Sequence, residues 1–268
     1  MDLREIPTHA FVRHPWEVAR LRFFPELLLS RIFGTGSACG PGPRRVLDVG
    51  AGDGYFARGL LATLPAGSTV TCWDANYTAS DLMRLRREAA AGLEFCQERA
   101  QGAFDVLVLL DVLEHVENDV AFLGELARNA LYPGGSALIS VPAWNELYTR
   151  HDQVLGHHRR YRPAALRKVV AAADLRLEAA GGLFHSLLVP RALAKAGERL
   201  RGVRATPSPE GPAAHADTGL GTWRAGRAVT ALVGGALWAD NQLSRFGARL
   251  GLGLPGLSTW AVARKPAP

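Results

Sequence analysis

Short apolar runs alternate with longer amphipathic stretches between residues 44 and 184, and this alternation constrains the fold more than any other feature of the sequence. It is typical of a parallel β-sheet whose strands are joined by helices. The run at 104–111 is almost continuously apolar, as expected for a central strand covered on both faces. The predicted strands are 44–50, 69–74, 93–98, 104–111, 136–141, 175–184 and 257–264, and the predicted helices are 55–64, 79–91, 119–131 and 163–173.

Two predicted helical segments flank this α/β unit. The first begins the chain and ends in a Gly/Pro hinge at 34–43. The second precedes the last strand and contains a Pro-, Gly- and Ala-rich joint at 201–219, which we expect to be mobile. The predicted organisation is an N-terminal helical segment at 1–43, an α/β domain at 44–184 and 257–265, and a helical insertion at 186–255.

The net charge of +6 is concentrated in the last third of the chain. Residues 1–184 carry 20 Lys and Arg against 21 Asp and Glu, whereas 185–268 carry 11 against 4. Arginines interleaved with Trp and Leu favour peripheral contact with a membrane surface, and no nucleic-acid partner is expected. The run at 228–239 is shorter than the roughly 20 residues of a spanning helix. A cap over the active site and an oligomer interface are alternative roles for the insertion.

The cysteines and the N-terminus both favour a cytoplasmic location. Cys39, Cys72 and Cys96 lie far apart and form no C-x-x-C pair, which favours reduced thiols over disulfides or a zinc site. The first 20 residues contain charges, prolines and histidines where a signal peptide needs an apolar stretch.

A glycine-rich turn follows the first predicted strand, in the sequence Asp-Val-Gly-Ala-Gly-Asp-Gly at 48–54. Three glycines free of side chains let a ligand approach the backbone and the start of the next helix. The spacing departs from the G-x-G-x-x-G of nicotinamide enzymes, where Tyr55 occupies the third glycine position. Asp48 would repel a pyrophosphate but would suit a cationic ligand. Asp74 ends the second strand, where a carboxylate can accept ribose hydroxyls.

Together with Asp-Val-Leu-Glu-His-Val at 111–116, these motifs resemble those of class I S-adenosylmethionine-dependent methyltransferases. The resemblance implies a Rossmann-like, doubly wound sheet of seven strands with an antiparallel last strand. It also implies that S-adenosyl-L-methionine is bound and that S-adenosyl-L-homocysteine is the product. In such enzymes the glycine loop holds the methionine part, and the residue matching Asp74 binds the ribose. The implied cofactor-binding residues are Asp48, Gly50, Gly52, Gly54, Asp74, Ala75, Asp111, Val112 and Leu113.

The loop after the fifth predicted strand concentrates histidines, arginines and aromatic residues at 144–161. Its G-H-x-R-R-Y string is similar to one in bacterial methyltransferases often associated with cell-envelope or lipid-linked glycan pathways. A hydroxyl acceptor must lose a proton, and a histidine suits that role near neutral pH. His157 is the first candidate base, His158 the second, and Asp152 a candidate for orienting the imidazole. The spacing of the histidines predicts no metal site.

Six residues are predicted to contact the substrate. Arg159 and Arg160 would hold an anionic group, although pairing with carboxylates of the fold is the alternative. His115 would approach the acceptor or else cap the next helix. The N-terminal helix would cover the cofactor as a lid or else pack on the sheet edge. The predicted substrate-binding residues are Arg159, Arg160, Tyr161, His115, Trp144 and Trp16.

The sequence therefore predicts a methyltransferase acting on an oxygen or carbon of a lipophilic or aromatic small molecule, free or carrier-linked. A nucleic-acid methyltransferase is one alternative. It is disfavoured by the near-neutral charge of residues 1–184 and by D-V-L-E at 111–114, where such enzymes have an N-P-P-Y type segment. A non-catalytic S-adenosylmethionine-binding protein is the other.

Overall fold

A computed structural model describes residues 12–31, 42–202, 223 and 225–267. The strands are β1 (Arg45–Val49), β2 (Thr69–Trp73), β3 (Leu93–Cys96), β4 (Phe104–Leu110), β5 (Leu131–Pro142), β6 (Arg176–Leu183) and β7 (Ser258–Arg264). The helices are α1 (Pro15–Arg31), α2 (Tyr55–Leu61), α3 (Ala79–Arg87), α4 (Asp119–Ala130), α5 (Arg150–Val154), α6 (Pro163–Ala172), α7 (Leu188–Leu200) and α8 (Arg227–Arg249).

The strands form one seven-stranded sheet in the order β3-β2-β1-β4-β5-β7-β6. β7 runs antiparallel to both β5 and β6, and the other neighbouring pairs are parallel. This confirms the predicted Rossmann-like α/β fold with an antiparallel last strand. The chain order reverses between β1 and β4, and in open α/β sheets ligands bind beyond the carboxyl ends of the strands at such a switch point. The glycine loop and Asp111 follow these two strands.

Alternate residues of the central strands enter two different cores, because successive side chains point to opposite faces of a sheet. On one face, Val46, Val106 and Val108 pack with α1, α2 and α8. On the other face, Leu47, Leu107 and Leu109 pack with α4 and α6. Both faces of the sheet are covered, which explains the continuous apolar run of β4.

Two segment predictions differ from the structure. The predicted fifth strand began at 136, but β5 begins at Leu131, directly after α4. The Pro-Gly-Gly sequence does not separate the two elements, because the sheet accommodates it as an irregularity in the β4–β5 register. The predicted loop to Tyr161 contains the short helix α5, which Thr149 and Asp152 cap reciprocally.

The flanking helices pack against each other and against the sheet. Asn241 of α8 donates to the carbonyl of Ala19 in α1 at 2.9 Å, and Arg245 donates to the carbonyl of Arg22 at 2.7 Å. In the described ranges, no helix is long and apolar enough to cross a membrane. Most of the predicted joint at 201–219 lies outside the described residues.

Candidate active site

The glycine loop after β1 forms a backbone cradle. Gly50, Gly52 and Gly54 have φ values of 67°, 55° and 70°, a left-handed conformation that favours glycine. A Cβ on Gly50 would lie 2.8 Å from a methyl group of Val112. The Asp74 carboxylate accepts a hydrogen bond from the Gly52 N–H at 3.0 Å, so the end of β2 helps to hold the loop.

Three buried carboxylates line the base of this cradle: Asp48, Asp53 and Asp74. Burial, together with the nearby charges of Asp74 and Asp53, raises the pKa of Asp48 to about 7. Such a group is stabilised in its ionised form by a cation. The cradle therefore fits a ligand that brings positive charge and needs close backbone approach, as the sulfonium and ammonium groups of S-adenosylmethionine do.

Tyr77 also supports the loop, although the sequence analysis did not single it out. Its buried hydroxyl donates to the Gly52 carbonyl at 2.6 Å. Ala75, a predicted cofactor contact, is exposed beside the cradle at the end of β2. Only the tertiary structure identifies Tyr77 as part of this region, because a lone tyrosine in a turn carries no distinctive signal.

Helix α1 and the residue Arg13 before it contact the segments that follow β1 and β4. Its Arg20 forms an ion pair with Asp111 at 2.5 Å, and Arg13, which precedes it, contacts Asp53. Asp111 itself adopts a left-handed conformation, with φ of 56°. Trp16 is half-buried and stacks on His14, with 3.9 Å between ring centroids. The helix thus packs on one face of the sheet and reaches Asp111 through Arg20, while the preceding Arg13 reaches Asp53.

Asp152 is the centre of a buried polar network after β5. Its carboxylate accepts hydrogen bonds from His157 Nδ1 at 3.0 Å and from Arg160 Nε at 2.7 Å, and it contacts Arg191 of α7. Burial by itself would raise the pKa of Asp152, but the His157 hydrogen bond and the two arginines outweigh it and hold the pKa well below its usual range. Asp152 therefore lies where an imidazole-orienting residue was predicted.

The two predicted anion-binding arginines have partners within the fold. Arg160 is buried, and besides Asp152 it donates to the Ala143 carbonyl at 3.1 Å. Arg159 lies 3.2 Å from the carboxylate of Asp119. Both arginines therefore pair with carboxylates of the protein itself, Asp119 of α4 and Asp152 of α5, which was the alternative to binding a substrate anion.

The other predicted substrate residues have varied environments. Tyr161 is buried and donates to Asp119 at 2.7 Å. The Trp144 indole donates to the Gly256 carbonyl at 2.8 Å, which ties the loop to the start of β7. His158 is half-buried, and its backbone N–H donates to the Glu114 carbonyl at 2.8 Å. Tyr161 and Trp144 thus hold the loop in place, because their polar atoms bond within the fold.

Glu114, His115 and His157 come together at the end of β4, with one ligand-type atom from each within 4.8 Å of the others. The rings of His115 and His157 meet edge to face at 4.7 Å. Glu114 is fully buried, and neither carboxylate oxygen has a hydrogen-bond partner among the described residues. Burial raises the pKa of Glu114. Glu114 was not among the predicted site residues, although it lies within the D-V-L-E-H-V motif.

Comparison with known proteins relates this site to one family. The model of the methyltransferase domain family matches residues 12–180, more than half of the chain. The chain is 28% identical over 166 residues to a ubiquinone biosynthesis O-methyltransferase of Idiomarina loihiensis, covering 54% of this chain and 67% of that protein. It is 31% identical to an uncharacterized methyltransferase of Mycobacterium sp. strain JLS, covering 44% and 46%. The chain thus spans about half to two thirds of the length of these relatives.

Solved structures share the fold at low identity. The [4+2]-cyclase SpnF is 15% identical, with a TM-score of 0.55 over 98% of this chain and 89% of its own. A putative sarcosine dimethylglycine methyltransferase from Galdieria sulphuraria is 16% identical, with a TM-score of 0.54 over 97% and 94%. One of these similar structures is a cyclase, so the fold alone does not determine the reaction. The family match and the sheet topology together show that the chain belongs to the S-adenosylmethionine-dependent class I methyltransferases.

Proposed function

We propose that this protein transfers the methyl group of S-adenosylmethionine to a hydroxyl oxygen of a lipophilic or aromatic small molecule. The main support is the imidazole of His157, which Asp152 holds at 3.0 Å beside His115 at the carboxyl edge of the sheet. Relatives named ubiquinone biosynthesis O-methyltransferase favour an oxygen acceptor of this class. Biosynthesis of a small metabolite is the corresponding role.

The cradle and the two neighbouring strand ends would hold the cofactor. Gly50, Gly52 and Gly54 would contact its methionine part, and Asp74 would accept hydrogen bonds from its ribose, with Ala75 beside it. Asp48 would face its positive charge, and Asp111, Val112 and Leu113 would border the reacting methyl group. When bound, S-adenosylmethionine supplies an electrophilic methyl group.

His157 would act as the base. Asp152 accepts a hydrogen bond from the Nδ1–H of His157, so the Nε2 lone pair is left to take the hydroxyl proton. The acceptor oxygen then bonds to the methyl carbon as the carbon–sulfur bond breaks, and the sulfur keeps the electron pair. Alignment of oxygen, carbon and sulfur is the main demand of such a displacement. His115, whose ring contacts that of His157, is a proposed acceptor contact, as are Trp16 and His158.

The experiment is transfer of a labelled methyl group from S-adenosylmethionine to a panel of phenols, catechols and hydroxylated lipids. We expect His157→Gln to lower kcat by about 100-fold or more, the range of general base catalysis. Gln153→Ala, an exposed change in the same loop, is the matched control and should retain full activity. Cofactor binding without transfer to any acceptor would instead favour a non-catalytic binding protein.

We also propose that α8 docks on a membrane surface containing anionic lipids. Four exposed apolar residues of α8 and Leu250, which directly follows the helix, lie on one side, because their spacings of 3, 11, 3 and 4 residues match whole helical turns: Val229, Leu232, Leu243, Phe246 and Leu250. The opposite side of the helix, with Leu237 and Asn241, packs on α1 and the sheet. Exposed Arg227 and Arg249 flank the apolar stripe and complement lipid phosphates.

Sedimentation with phosphatidylglycerol-containing vesicles tests this surface. We expect the double variant Leu232→Asp, Phe246→Asp to lower vesicle binding by at least about tenfold, since burying each side chain contributes about 1.5–3 kcal/mol. Met83→Asp, at an exposed apolar residue of α3, should bind as the unmodified protein does. Failure to sediment with anionic vesicles would overturn the proposal. A dimer in solution that the double variant dissociates would show that a second copy covers α8 instead.

A further inference from the structure

We propose that Glu114, His115 and His157 bind a divalent transition-metal ion. One ligand-type atom from each residue lies within 4.8 Å of the other two. Around an ion with bonds of about 2.0–2.2 Å, tetrahedral ligand atoms lie roughly 3–4 Å apart. Closing the site therefore requires a side-chain movement of about an ångström at the longest separation. The spacing of the histidines within the loop at 144–161 predicted no metal site, but Glu114 and His115 reach His157 from the end of β4.

The buried carboxylate of Glu114 needs a compensating partner. It is 0% exposed, and both of its oxygens are without a hydrogen-bond partner in the described part of the chain. Burial of a polar group with no partner is costly, and buried charges are normally paired or bound to metal ions. Protonation would not resolve this, since the carboxyl proton would itself need an acceptor. A cation between Glu114 and the two imidazoles supplies the missing interaction.

His157 has the orientation that metal-binding histidines usually have. Such a histidine commonly donates its second ring N–H to a carboxylate, which fixes the tautomer and directs the other nitrogen at the metal. Asp152 occupies that position, 3.0 Å from Nδ1. Asp152 is itself held by Arg160 and Arg191, so it remains an orienting partner rather than a ligand.

The donor set indicates the class of metal. Two imidazole nitrogens and one carboxylate oxygen suit Fe²⁺, Co²⁺ or Zn²⁺ better than Mg²⁺ or Ca²⁺, which prefer oxygen ligands. His115 is exposed, so the site opens toward the cleft and keeps coordination positions for a further ligand. On the proposed function, that ligand is the acceptor hydroxyl. The ion would act as a Lewis acid that lowers the pKa of that hydroxyl, and His157, as one of the ligands that hold the ion, would then promote proton loss through the metal and would not itself be the base.

Metal binding by the full-length protein is the direct test. After chelator treatment and dialysis, Co²⁺, Zn²⁺ and Mg²⁺ are titrated by calorimetry, and Co²⁺ is also followed by its visible absorption. We expect one Co²⁺ or Zn²⁺ per chain and much weaker Mg²⁺ binding. Glu114→Gln, His115→Gln and His157→Gln should each weaken Co²⁺ binding by about 100-fold or more. Gln153→Ala, at an exposed residue of the same loop outside the cluster, should bind Co²⁺ as the unmodified protein does.

The exposed position of His115 makes His115→Gln the variant least able to disturb folding. Absence of stoichiometric Co²⁺ or Zn²⁺ binding, or unchanged binding in His115→Gln and His157→Gln, would overturn the inference. Methyl transfer by a protein that binds neither Co²⁺ nor Zn²⁺ would also overturn the metal site, but it would leave the proposed function intact. Stoichiometric metal binding without transfer to any hydroxyl would support the site and count against the proposed function.

Discussion

Replacing Asp152 by alanine is expected to lower the free energy of unfolding by about 3–5 kcal/mol, the usual cost of removing one partner of a buried ion pair. The change would leave the buried Arg160 and the largely buried Arg191 without their shared carboxylate. It would also remove the acceptor of the Thr149 backbone N–H. This hydrogen bond, 2.8 Å long, caps the start of α5. Denaturant unfolding monitored by circular dichroism measures the effect.

The matched control is an exposed ion pair at nearly the same place in the fold. Glu146 accepts from Arg162 Nε at 2.7 Å, but both side chains are largely solvated. Exposed pairs contribute little to stability because water and salt screen them. Glu146→Ala should therefore leave the unfolding midpoint almost unchanged. An equally small effect of Asp152→Ala would show that the Asp152 network does not hold the loop.

The second large expected effect is on cofactor affinity. Asp74→Ala should weaken S-adenosylmethionine binding by about 100-fold, which corresponds to about 2.7 kcal/mol. Hydrogen bonds to a charged group contribute about 1.5–3 kcal/mol, and the expected contact with the ribose is of this kind. The change would also release the Gly52 N–H, which the Asp74 carboxylate holds at 3.0 Å. Isothermal titration with S-adenosylmethionine and S-adenosylhomocysteine measures the loss.

Glu94→Ala is the control for this experiment, since Glu94 is an exposed acidic residue on the neighbouring strand β3. It should bind both ligands as the unmodified protein does, and NAD should not bind to either protein. Asp74→Asn would separate the contribution of charge from that of hydrogen-bond acceptance. Unchanged affinity in Asp74→Ala would place the ribose elsewhere, and preferential binding of NAD would contradict the cofactor assignment.

Local sequence patterns predicted the sheet and the glycine loop. Strand periodicity and the apolar run of β4 are set by residues a few positions apart, so both can be recognised in the sequence alone. The same holds for Gly50, Gly52 and Gly54, whose left-handed φ values follow from a local turn requirement. The error at β5 arose because the β4–β5 pairing, a non-local interaction, accommodates a Pro-Gly-Gly sequence that usually ends regular structure.

Local sequence patterns do not identify which charged side chains pair with each other at the site. The sequence suggested that Asp152 orients an imidazole, but it did not indicate that Arg191, 39 residues away, shares the carboxylate. Arg159 and Arg160 were expected at a substrate anion, and the structure pairs them with Asp119 and Asp152. Charged side chains pair with whatever the fold brings near, and sequence distance does not limit this.

The sequence by itself determined the class of fold, the order of its elements and the position of the glycine loop, because hydrophobic periodicity and glycine conformations act over short stretches of chain. Only the tertiary structure decided that α1 reaches Asp111 through Arg20, and that Glu114 is buried beside His115 and His157. The physical reason is that burial and charge pairing depend on distances in space, and β4 and the loop after β5 meet only when the sheet has formed.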